Sequence, residues 1–269
     1  MILKQLSIGY HSKKQSRVLV SGMNASLQTG ELTALIGSNG AGKSTLLRTL
    51  AGFQKPLSGE ILLHDSSEIP VGRMETKTRY CPLGQISLKD LAKKIAVVLT
   101  VAPALTSVRA EELVGMGRSP YTRFWGGLSS ADKKIVDEAM RWVGIDNLKS
   151  RMFHTLSDGE RQKVMIAKAL AQQTGIILLD EPTAFLDYPS KVELLQLLSR
   201  LAHDLDKAIL LSTHDLELAL QLSDTLWLLD SALQVGSPRQ LADKNALSNF
   251  IERAGISFDK TSLSIRVKR

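Results

Sequence analysis

The sequence predicts an α/β fold in which helices cover both faces of a mostly parallel sheet. Three short apolar runs, at residues 31–36, 176–179 and 208–211, have the length and composition of strands buried on both sides. A glycine-rich loop follows the first run, and residues 44–50 then have helical periodicity. Strands of this kind alternating with helices are typical of the α/β class.

Other segments add to this sheet. Residues 2–10 and 18–27 alternate apolar and polar side chains, which predicts strands of an antiparallel sheet. Residues 108–116 and 130–143 have helical periodicity, so we expect residues 100–157 to form a mostly helical subdomain inserted into the sheet domain.

Two segments are less regular. Residues 64–89 are polar and without a clear period, which predicts a loop or an irregular hairpin. Residues 236–269 combine a short helix signal with a basic end and are expected to be a C-terminal extension of one domain spanning 1–269.

Composition limits the functional classes. With 269 residues, 43% of them hydrophobic and 23% charged, the chain has enough apolar residues for a core, which excludes disorder and a small disulfide scaffold. Its single cysteine, Cys81, fits a reducing cytoplasm, and no apolar run approaches the roughly 20 residues of a membrane span. The start of the chain lacks the features of a signal peptide, so we expect no secretion by that route. A net charge of +7 would suit nucleic acid or an anionic membrane surface.

A phosphate-binding motif lies between a predicted strand and a predicted helix. Residues 37–44 match G-x-x-x-x-G-K-[ST], whose glycines let backbone N–H groups surround phosphate oxygens at a helix N-terminus. Lys43 is expected to reach the β- and γ-phosphates, and the Ser44 hydroxyl to bind Mg²⁺. Eight matching positions in this context disfavour the alternative, a glycine turn with a solvated lysine. The residues predicted to bind ATP here are Gly37, Ser38, Asn39, Gly40, Ala41, Gly42, Lys43, Ser44 and Thr45.

Two carboxylates follow the apolar run 176–179. Asp180 and Glu181 are therefore expected at the carboxyl end of the sheet, where ligands bind in open α/β folds. Asp180 is placed to hold Mg²⁺, and Glu181 to act as the general base on the attacking water. Alone, such a pair is often a solvated turn; the phosphate loop favours the catalytic interpretation.

A second helix N-terminus is predicted at residues 156–162, which read Leu-Ser-Asp-Gly-Glu-Arg-Gln. Ser157 is a plausible N-cap and Gly159 a position that allows close approach, so an anion could bind here. On local grounds the alternative, a helix cap with no further role, is favoured.

Together the motifs resemble a known family. The phosphate loop, residues 156–162, Asp180 with Glu181, Leu-Asp at 186–187 and Ser-Thr-His-Asp at 212–215 occur in the order found in nucleotide-binding subunits of ATP-binding-cassette (ABC) transporters. The resemblance runs over about residues 2–235. It implies a P-loop NTPase with a RecA-like core, an antiparallel β subdomain and an inserted α-helical subdomain.

The resemblance also implies a head-to-tail dimer of two copies, with each ATP between the phosphate loop of one copy and the 156–162 segment of the other. Ser157 and the Gly159 N–H would then contact the γ-phosphate bound by the partner, and Asp187 would connect the two sites. His214 would touch the γ-phosphate and position the water and Glu181; a strand-end histidine satisfied by backbone is the alternative.

Three further positions concern the nucleotide. Tyr10 matches the aromatic residue on which the family stacks adenine, although an edge tyrosine is also commonly simple packing. Asp158 replaces the usual glycine, and we expect its side chain to point away from the nucleotide or to cap the helix. Thr100 stands where the family usually has a glutamine that contributes to Mg²⁺; the shorter hydroxyl could ligate the metal or act through water.

Residues 108–121, ending in Gly-Arg-Ser-Pro-Tyr, resemble the importer branch that handles iron-siderophore complexes, haem and cobalamin; the alternative is a helix end with a proline turn. Without a predicted membrane span, the chain is expected to be peripheral at the cytoplasmic face of the inner (plasma) membrane. Its expected partners are separate permease subunits and, indirectly, a periplasmic or lipoprotein substrate-binding protein.

Two rival interpretations remain. The basic charge would suit a soluble ABC ATPase acting on DNA, in repair or chromosome organisation, but neither heptads nor cysteine pairs of such proteins occur here, so no nucleic-acid partner is expected. A non-hydrolysing binding module is disfavoured because Glu181 and His214 are both present.

Overall fold

The computed structural model describes residues 1–11, 16–65, 79–100, 106–122, 127–252 and 255–267. The strands of this part of the chain are β1 (Ile2–His11), β2 (Ser16–Ser26), β3 (Glu31–Gly37), β4 (Ser58–Asp65), β5 (Arg79–Pro82), β6 (Ile95–Val98), β7 (Ile176–Leu179), β8 (Ala208–Ser212), β9 (Thr225–Leu229), β10 (Leu233–Gly236), β11 (Ile256–Asp259) and β12 (Ser264–Val267). The helices are α1 (Lys43–Leu50), α2 (Leu88–Leu91), α3 (Ala110–Gly115), α4 (Ser130–Trp142), α5 (Asp158–Ala171), α6 (Tyr188–Asp204), α7 (Leu216–Leu222), α8 (Pro238–Asp243) and α9 (Ala246–Ile251). Single 3-10 turns occupy Leu83–Gln85, Met116–Arg118, Asp146–Leu148 and Phe153–Thr155.

A six-stranded sheet carries the predicted α/β core. Its order is β10-β9-β3-β8-β7-β6, and all neighbours from β9 to β6 are parallel, whereas β10 is antiparallel to β9. Residues of β7 and β8 are almost entirely buried, as expected for strands with both faces covered. Because the strands are parallel, the residues that follow β3, β7 and β8 emerge at one edge of the sheet.

A four-stranded antiparallel sheet, in the order β2-β1-β4-β5, forms the second layer near the amino end. Strands β1 and β2 confirm the two alternating segments of the sequence. β4 and β5 pair antiparallel, with Leu63 opposite Cys81, which agrees with a hairpin at the described ends of residues 64–89, and α2 follows β5. Within this stretch, residues 66–78 lie outside the described residues.

The inserted helices pack against the end of the central sheet. Apolar side chains of α3, α4 and α5 share one core with β6 and β7, including Leu113, Met140 and Ile166. A β-carbon at Gly117 would lie 2.3 Å from the Lys168 carbonyl oxygen, so the chain passes α5 at a distance that only glycine permits. Residues 101–105 and 123–126 of the predicted insert lie outside the described residues.

The C-terminal extension is more ordered than the sequence predicts. Instead of one short helix with a basic end, it contains α8, α9 and the β11–β12 hairpin. Leu241, Leu247 and Phe258 share one apolar core with Ile36 of β3 and Leu228 of β9. These elements have six residues or fewer, too few for a reliable period, so packing on the sheet defines them. Across the described residues, no helix is both long and apolar enough to span a membrane.

Candidate active site

The predicted phosphate loop connects β3 to α1 at the carboxyl edge of the sheet. Gly42 caps α1 with a φ of +101°, a conformation that favours glycine. A β-carbon at Gly37 would lie 2.3 Å from the Leu229 carbonyl oxygen, so β3 can leave the sheet beside β9 only with glycine there. Ser38, Asn39 and Gly40 form the exposed part of the loop. The backbone is therefore shaped as a phosphate-binding turn.

The Lys43 side chain is buried beneath this loop. Its Nζ donates hydrogen bonds to the carbonyl oxygens of Gly37, at 2.9 Å, and Ser38, at 3.3 Å. Burial lowers the pKa of Lys43, and the carboxylates of Glu181 and Asp180 partly oppose that shift. The ammonium group thus lies where it can exchange two carbonyl oxygens for phosphate oxygens.

Hydroxyl groups converge on the Asp180 carboxylate. The Ser44 hydroxyl donates to Asp180 Oδ1 at 3.1 Å, and the Ser212 hydroxyl donates to the same oxygen at 2.7 Å. The Thr100 hydroxyl donates to the Asp180 carbonyl oxygen at 2.8 Å, which fastens the end of β6 to the end of β7. Hard oxygen atoms of this kind, one carboxylate and one hydroxyl beside a phosphate loop, fit Mg²⁺.

Glu181 and His214 lie in direct contact, with 2.6 Å between Glu181 Oε1 and His214 Nε2. Glu181 has a φ of +49°, an unfavourable conformation for a residue with a side chain, and its N–H donates to the Ser212 hydroxyl at 2.9 Å. The strand ends therefore place a carboxylate, an imidazole and the phosphate loop at one edge. Ser212 is a site residue to which sequence analysis gave no role, although a polar residue ends the apolar run 208–211.

Tyr10 lies beside α1, as its predicted role requires. Its hydroxyl shares a hydrogen bond of 2.8 Å with the Thr45 hydroxyl, and its side chain is about half exposed. The phenol is thus held at its polar end while the ring remains open to a ligand. Adenine stacking by Tyr10 stays a prediction.

The 156–162 segment opens α5 with a capping box. The Ser157 hydroxyl accepts the Glu160 N–H at 3.3 Å, and the Glu160 carboxylate accepts the Ser157 N–H at 2.8 Å. The hydrogen bond from the Ser157 N–H lowers the pKa of Glu160. Asp158 pairs with Arg161 along the helix surface at 3.4 Å, so Ser157 and not Asp158 is the cap.

Asp187 caps α6 by accepting the Ser190 N–H at 3.1 Å, and hydrogen bonding by Ser190 lowers the pKa of Asp187. Between the described residues, no hydrogen bond or ion pair joins Ser157, Gly159 or Asp187 to the phosphate loop. The structure thus brings Lys43, Asp180, Glu181 and His214 together at the phosphate loop. The other predicted residues, Ser157, Gly159 and Asp187, lie at the surface of the same chain without such a contact.

Arg118, in the Gly-Arg-Ser-Pro-Tyr segment, is a structural residue that the sequence analysis did not identify. It is 5% exposed and donates to Asp132 at 2.9 Å and to the Ala171 carbonyl oxygen at 2.8 Å. Its guanidinium group also lies 4.1 Å from the centre of the Tyr121 ring. Much of this segment therefore connects the inserted helices to the end of α5.

Comparison with known proteins agrees with this geometry. The ABC transporter family model matches residues 20–184. The chain is 34% identical over 243 residues to the achromobactin transport ATP-binding protein of Dickeya dadantii, covering 90% of this chain and 83% of that protein. It is 36% identical over 220 residues to the iron(3+)-hydroxamate import ATP-binding protein of Bacillus subtilis, covering 82% of this chain and 75% of that protein.

Solved structures have the same fold. The chain superposes on cbiO1 of Clostridium perfringens, part of the ABC transporter complex cbiONQ, with a TM-score of 0.72 and 26% identity over 92% of each chain. A dimeric ATP-binding cassette in a post-hydrolysis state with ADP and Pi gives a TM-score of 0.70 at 24% identity, covering 88% of this chain and 98% of that chain, and shows the fold alone. From the family match, the relatives and the nucleotide-site geometry, the chain belongs to the ABC transporter family and is an ATPase.

Proposed function

We propose that the chain is the ATP-hydrolysing subunit of an importer that takes up an iron-siderophore, haem or cobalamin-type substrate through separate permease subunits. The contact between Glu181 and His214 beside the phosphate loop carries the ATPase part of this proposal. The import part is supported by relatives named for achromobactin transport and iron(3+)-hydroxamate import.

ATP binding would use the buried lysine and the hydroxyl groups around it. Lys43 would exchange its two carbonyl partners for β- and γ-phosphate oxygens, which form stronger charge-assisted hydrogen bonds. Ser44 and Asp180 would hold Mg²⁺, which would neutralise charge on the phosphates. Thr100 lies next to Asp180, and its hydroxyl oxygen still has lone pairs to offer. It would therefore contribute to Mg²⁺ binding, directly or through water. Tyr10 would stack on adenine.

Hydrolysis would use the Glu181–His214 pair. The Glu181 carboxylate would accept a proton from a water molecule as that water attacks the γ-phosphorus in line with the leaving oxygen of ADP. His214, held 2.6 Å from Glu181, would fix the carboxylate and the water relative to the γ-phosphate. The products are ADP and phosphate.

A second copy of the chain would complete each site. A β-carbon at Gly159 would meet no described atom within 4 Å, so packing within this chain does not require a glycine there. A close approach from another molecule does explain it, which supports contact of Ser157 and Gly159 with the γ-phosphate bound by the partner. Asp187, which is exposed, would connect the two sites of the dimer.

Nucleotide-dependent closure of this dimer would drive the permease between its two states. The chain would act at the cytoplasmic face of the plasma membrane, with a periplasmic or lipoprotein substrate-binding protein delivering the cargo. Its transport-named relatives support this function over an ATPase acting on DNA.

Two variants test the ATPase assignment. Glu181→Gln is expected to retain ATP binding, trap a closed dimer and lower kcat by about 100-fold or more, as expected for loss of a general base. Lys43→Ala is expected to lose ATP binding, measured with a fluorescent ATP analogue. Wild-type turnover by Glu181→Gln would reject Glu181 as the base.

The import assignment is tested separately, by uptake of iron-siderophores, haem and cobalamin in vesicles containing the permease. DNA-stimulated ATPase activity, with no permease in a pull-down, would favour the DNA-acting alternative.

A further inference from the structure

Asp215, the residue after His214, connects three segments of the chain. Its Oδ2 accepts a hydrogen bond from the Thr183 hydroxyl at 2.8 Å, and its Oδ1 accepts one from Lys191 Nζ at 2.8 Å. Its own N–H donates to the Thr213 hydroxyl at 3.0 Å. Both carboxylate oxygens are therefore engaged, each by a different segment.

These partners lie close to the catalytic pair. Thr183 comes two residues after Glu181 and is buried, and Thr213 immediately precedes His214 and is also buried. Lys191 lies in the first turn of α6, where its N–H donates to the Asp187 carbonyl oxygen at 2.9 Å. The Asp215 carboxylate thus joins the exit from β7, the turn that carries His214 and the start of the helix capped by Asp187.

The segment that leaves β7 needs such an external restraint. Glu181 and Phe185 have φ values of +49° and +67°, conformations that cost residues with side chains about 1 kcal/mol or more each. The Phe185 side chain is 80% exposed, so burial of that ring does not hold the backbone in place. Two hydrogen bonds that the segment donates hold it instead: one from the Glu181 N–H to the Ser212 hydroxyl and one from the Thr183 hydroxyl to the Asp215 carboxylate.

We propose that Asp215 is a positioning residue for ATP hydrolysis, acting mainly through Thr183. It fixes the 181–187 segment against the turn of His214, so that His214 and Glu181 keep their contact, and through Lys191 it ties that contact to the partner-facing Asp187. The inference rests on the proposed roles of Glu181 and His214.

A purely structural ion pair is the competing explanation. The side chains of Lys191 and Asp215 are 24% and 27% exposed, and pairs in contact with water generally contribute little to stability. A structural role would change the melting temperature and leave kcat per folded molecule unchanged. A positioning role would lower kcat with little change in ATP affinity, because a displacement of about 1 Å at reacting groups can lower the rate by up to about 100-fold.

The test compares Thr183→Val with Thr183→Ser in the full-length protein. Valine keeps the shape of threonine and loses the hydrogen bond to Asp215, whereas serine keeps the hydroxyl. We expect Thr183→Val to lower kcat about tenfold with the Kd for ATP within about twofold, and Thr183→Ser to restore most of the rate. Lys191→Met, compared with Lys191→Arg, tests the hydrogen bond from Lys191 to Asp215 Oδ1 in the same way.

Glu193→Gln is the matched control. Glu193 lies on α6, as Lys191 does, and forms a 2.6 Å ion pair with Lys163 of α5. The substitution removes that pair but touches neither Asp215 nor the catalytic pair, so kcat is expected to stay at the wild-type value. Circular dichroism and the melting temperature verify that each variant is folded.

His214→Ala and Glu181→Gln separate failure of this inference from failure of the proposed function. Loss of turnover in both, with wild-type kcat in Thr183→Val and Lys191→Met, would overturn only the role of Asp215. Wild-type turnover in His214→Ala and Glu181→Gln would overturn the catalytic assignment itself, and with it this inference.

Discussion

At the residue scale, Ser212 determines the geometry of two functional carboxylates. Its fully buried hydroxyl accepts the Glu181 N–H and donates to Asp180 Oδ1, so one oxygen atom fixes both the backbone of the proposed base and the orientation of the proposed metal ligand. This matters because the left-handed backbone conformation of Glu181 is unfavourable for a residue with a side chain and has to be stabilised by its surroundings.

Ser212→Ala is therefore expected to affect both stability and catalysis. Leaving a buried N–H without a partner lowers the free energy of unfolding by about 1–3 kcal/mol. Because Asp180 also loses a donor, we expect kcat to fall and the Mg²⁺ concentration for half-maximal activity to rise, while Ser212→Thr keeps the hydroxyl and most of the activity. Urea unfolding and ATPase assays at varied Mg²⁺ measure these effects. Equal Mg²⁺ dependence in Ser212→Ala and wild type would contradict the orienting role.

The positions of the motif residues at the strand ends were predictable, and the side chains that hold them there were not. Lys43, Asp180 and His214 belong to motifs whose spacing alone brings them to the strand ends. Ser212 and Arg118 act through partners 14 to 53 residues distant in sequence, so their roles depend on strand register and helix packing. Asp215 was part of a recognised motif, yet its bond to Thr183 likewise needs the folded chain.

At the element scale, strands buried on both faces were predicted best. The run at 176–179 coincides with β7, because a strand inside a parallel sheet is apolar at every position. The elements β5, α2, α8 and β11 have only four to six residues and no readable period. They form where a neighbour supplies hydrogen bonds or apolar contacts, as β4 does for β5.

The junction between α4 and α5 gives a prediction on pH. Hydrogen bonds from Ser129, and then from the buried Arg118, lower the pKa of Asp132 to about 2. A carboxyl group whose pKa is lowered in the folded state stabilises the protein above its unfolded pKa of about 4 and loses that contribution as the pH falls toward 2.

We therefore expect Asp132→Asn to be less stable than wild type at neutral pH and the difference to shrink as the pH falls from about 4 to about 2. Urea unfolding from pH 7 down to the lowest pH at which the protein stays folded measures this. Asp137→Asn, which removes an exposed ion pair with Lys149, is the control and should differ less from wild type at neutral pH. A difference between Asp132→Asn and wild type that grows on acidification would contradict the assignment.

At the scale of the whole molecule, three apolar cores meet at the central sheet and the site lies at its carboxyl edge. One core joins the inserted helices to β6 and β7, a second lies between the two sheets, and a third joins the C-terminal extension to β3 and β9. β3 leads directly into the phosphate loop. The extension therefore supports the strand that carries the loop without contributing a residue to it.

Phe258→Ala tests whether that support is a matter of stability alone. The phenyl ring is 7% exposed in the third core, and its removal is expected to lower the free energy of unfolding by about 3 kcal/mol through lost burial and the cavity left behind. Since this core lies on the face of β3 opposite the one that packs against α1, kcat and the Kd for ATP should equal the wild-type values in the folded protein. Val267→Ala is the control in the same hairpin. Because its side chain is 80% exposed, it should change neither the free energy of unfolding nor kcat. A fall in kcat for Phe258→Ala below its unfolding transition would instead mean that the extension sets the conformation of the phosphate loop through β3.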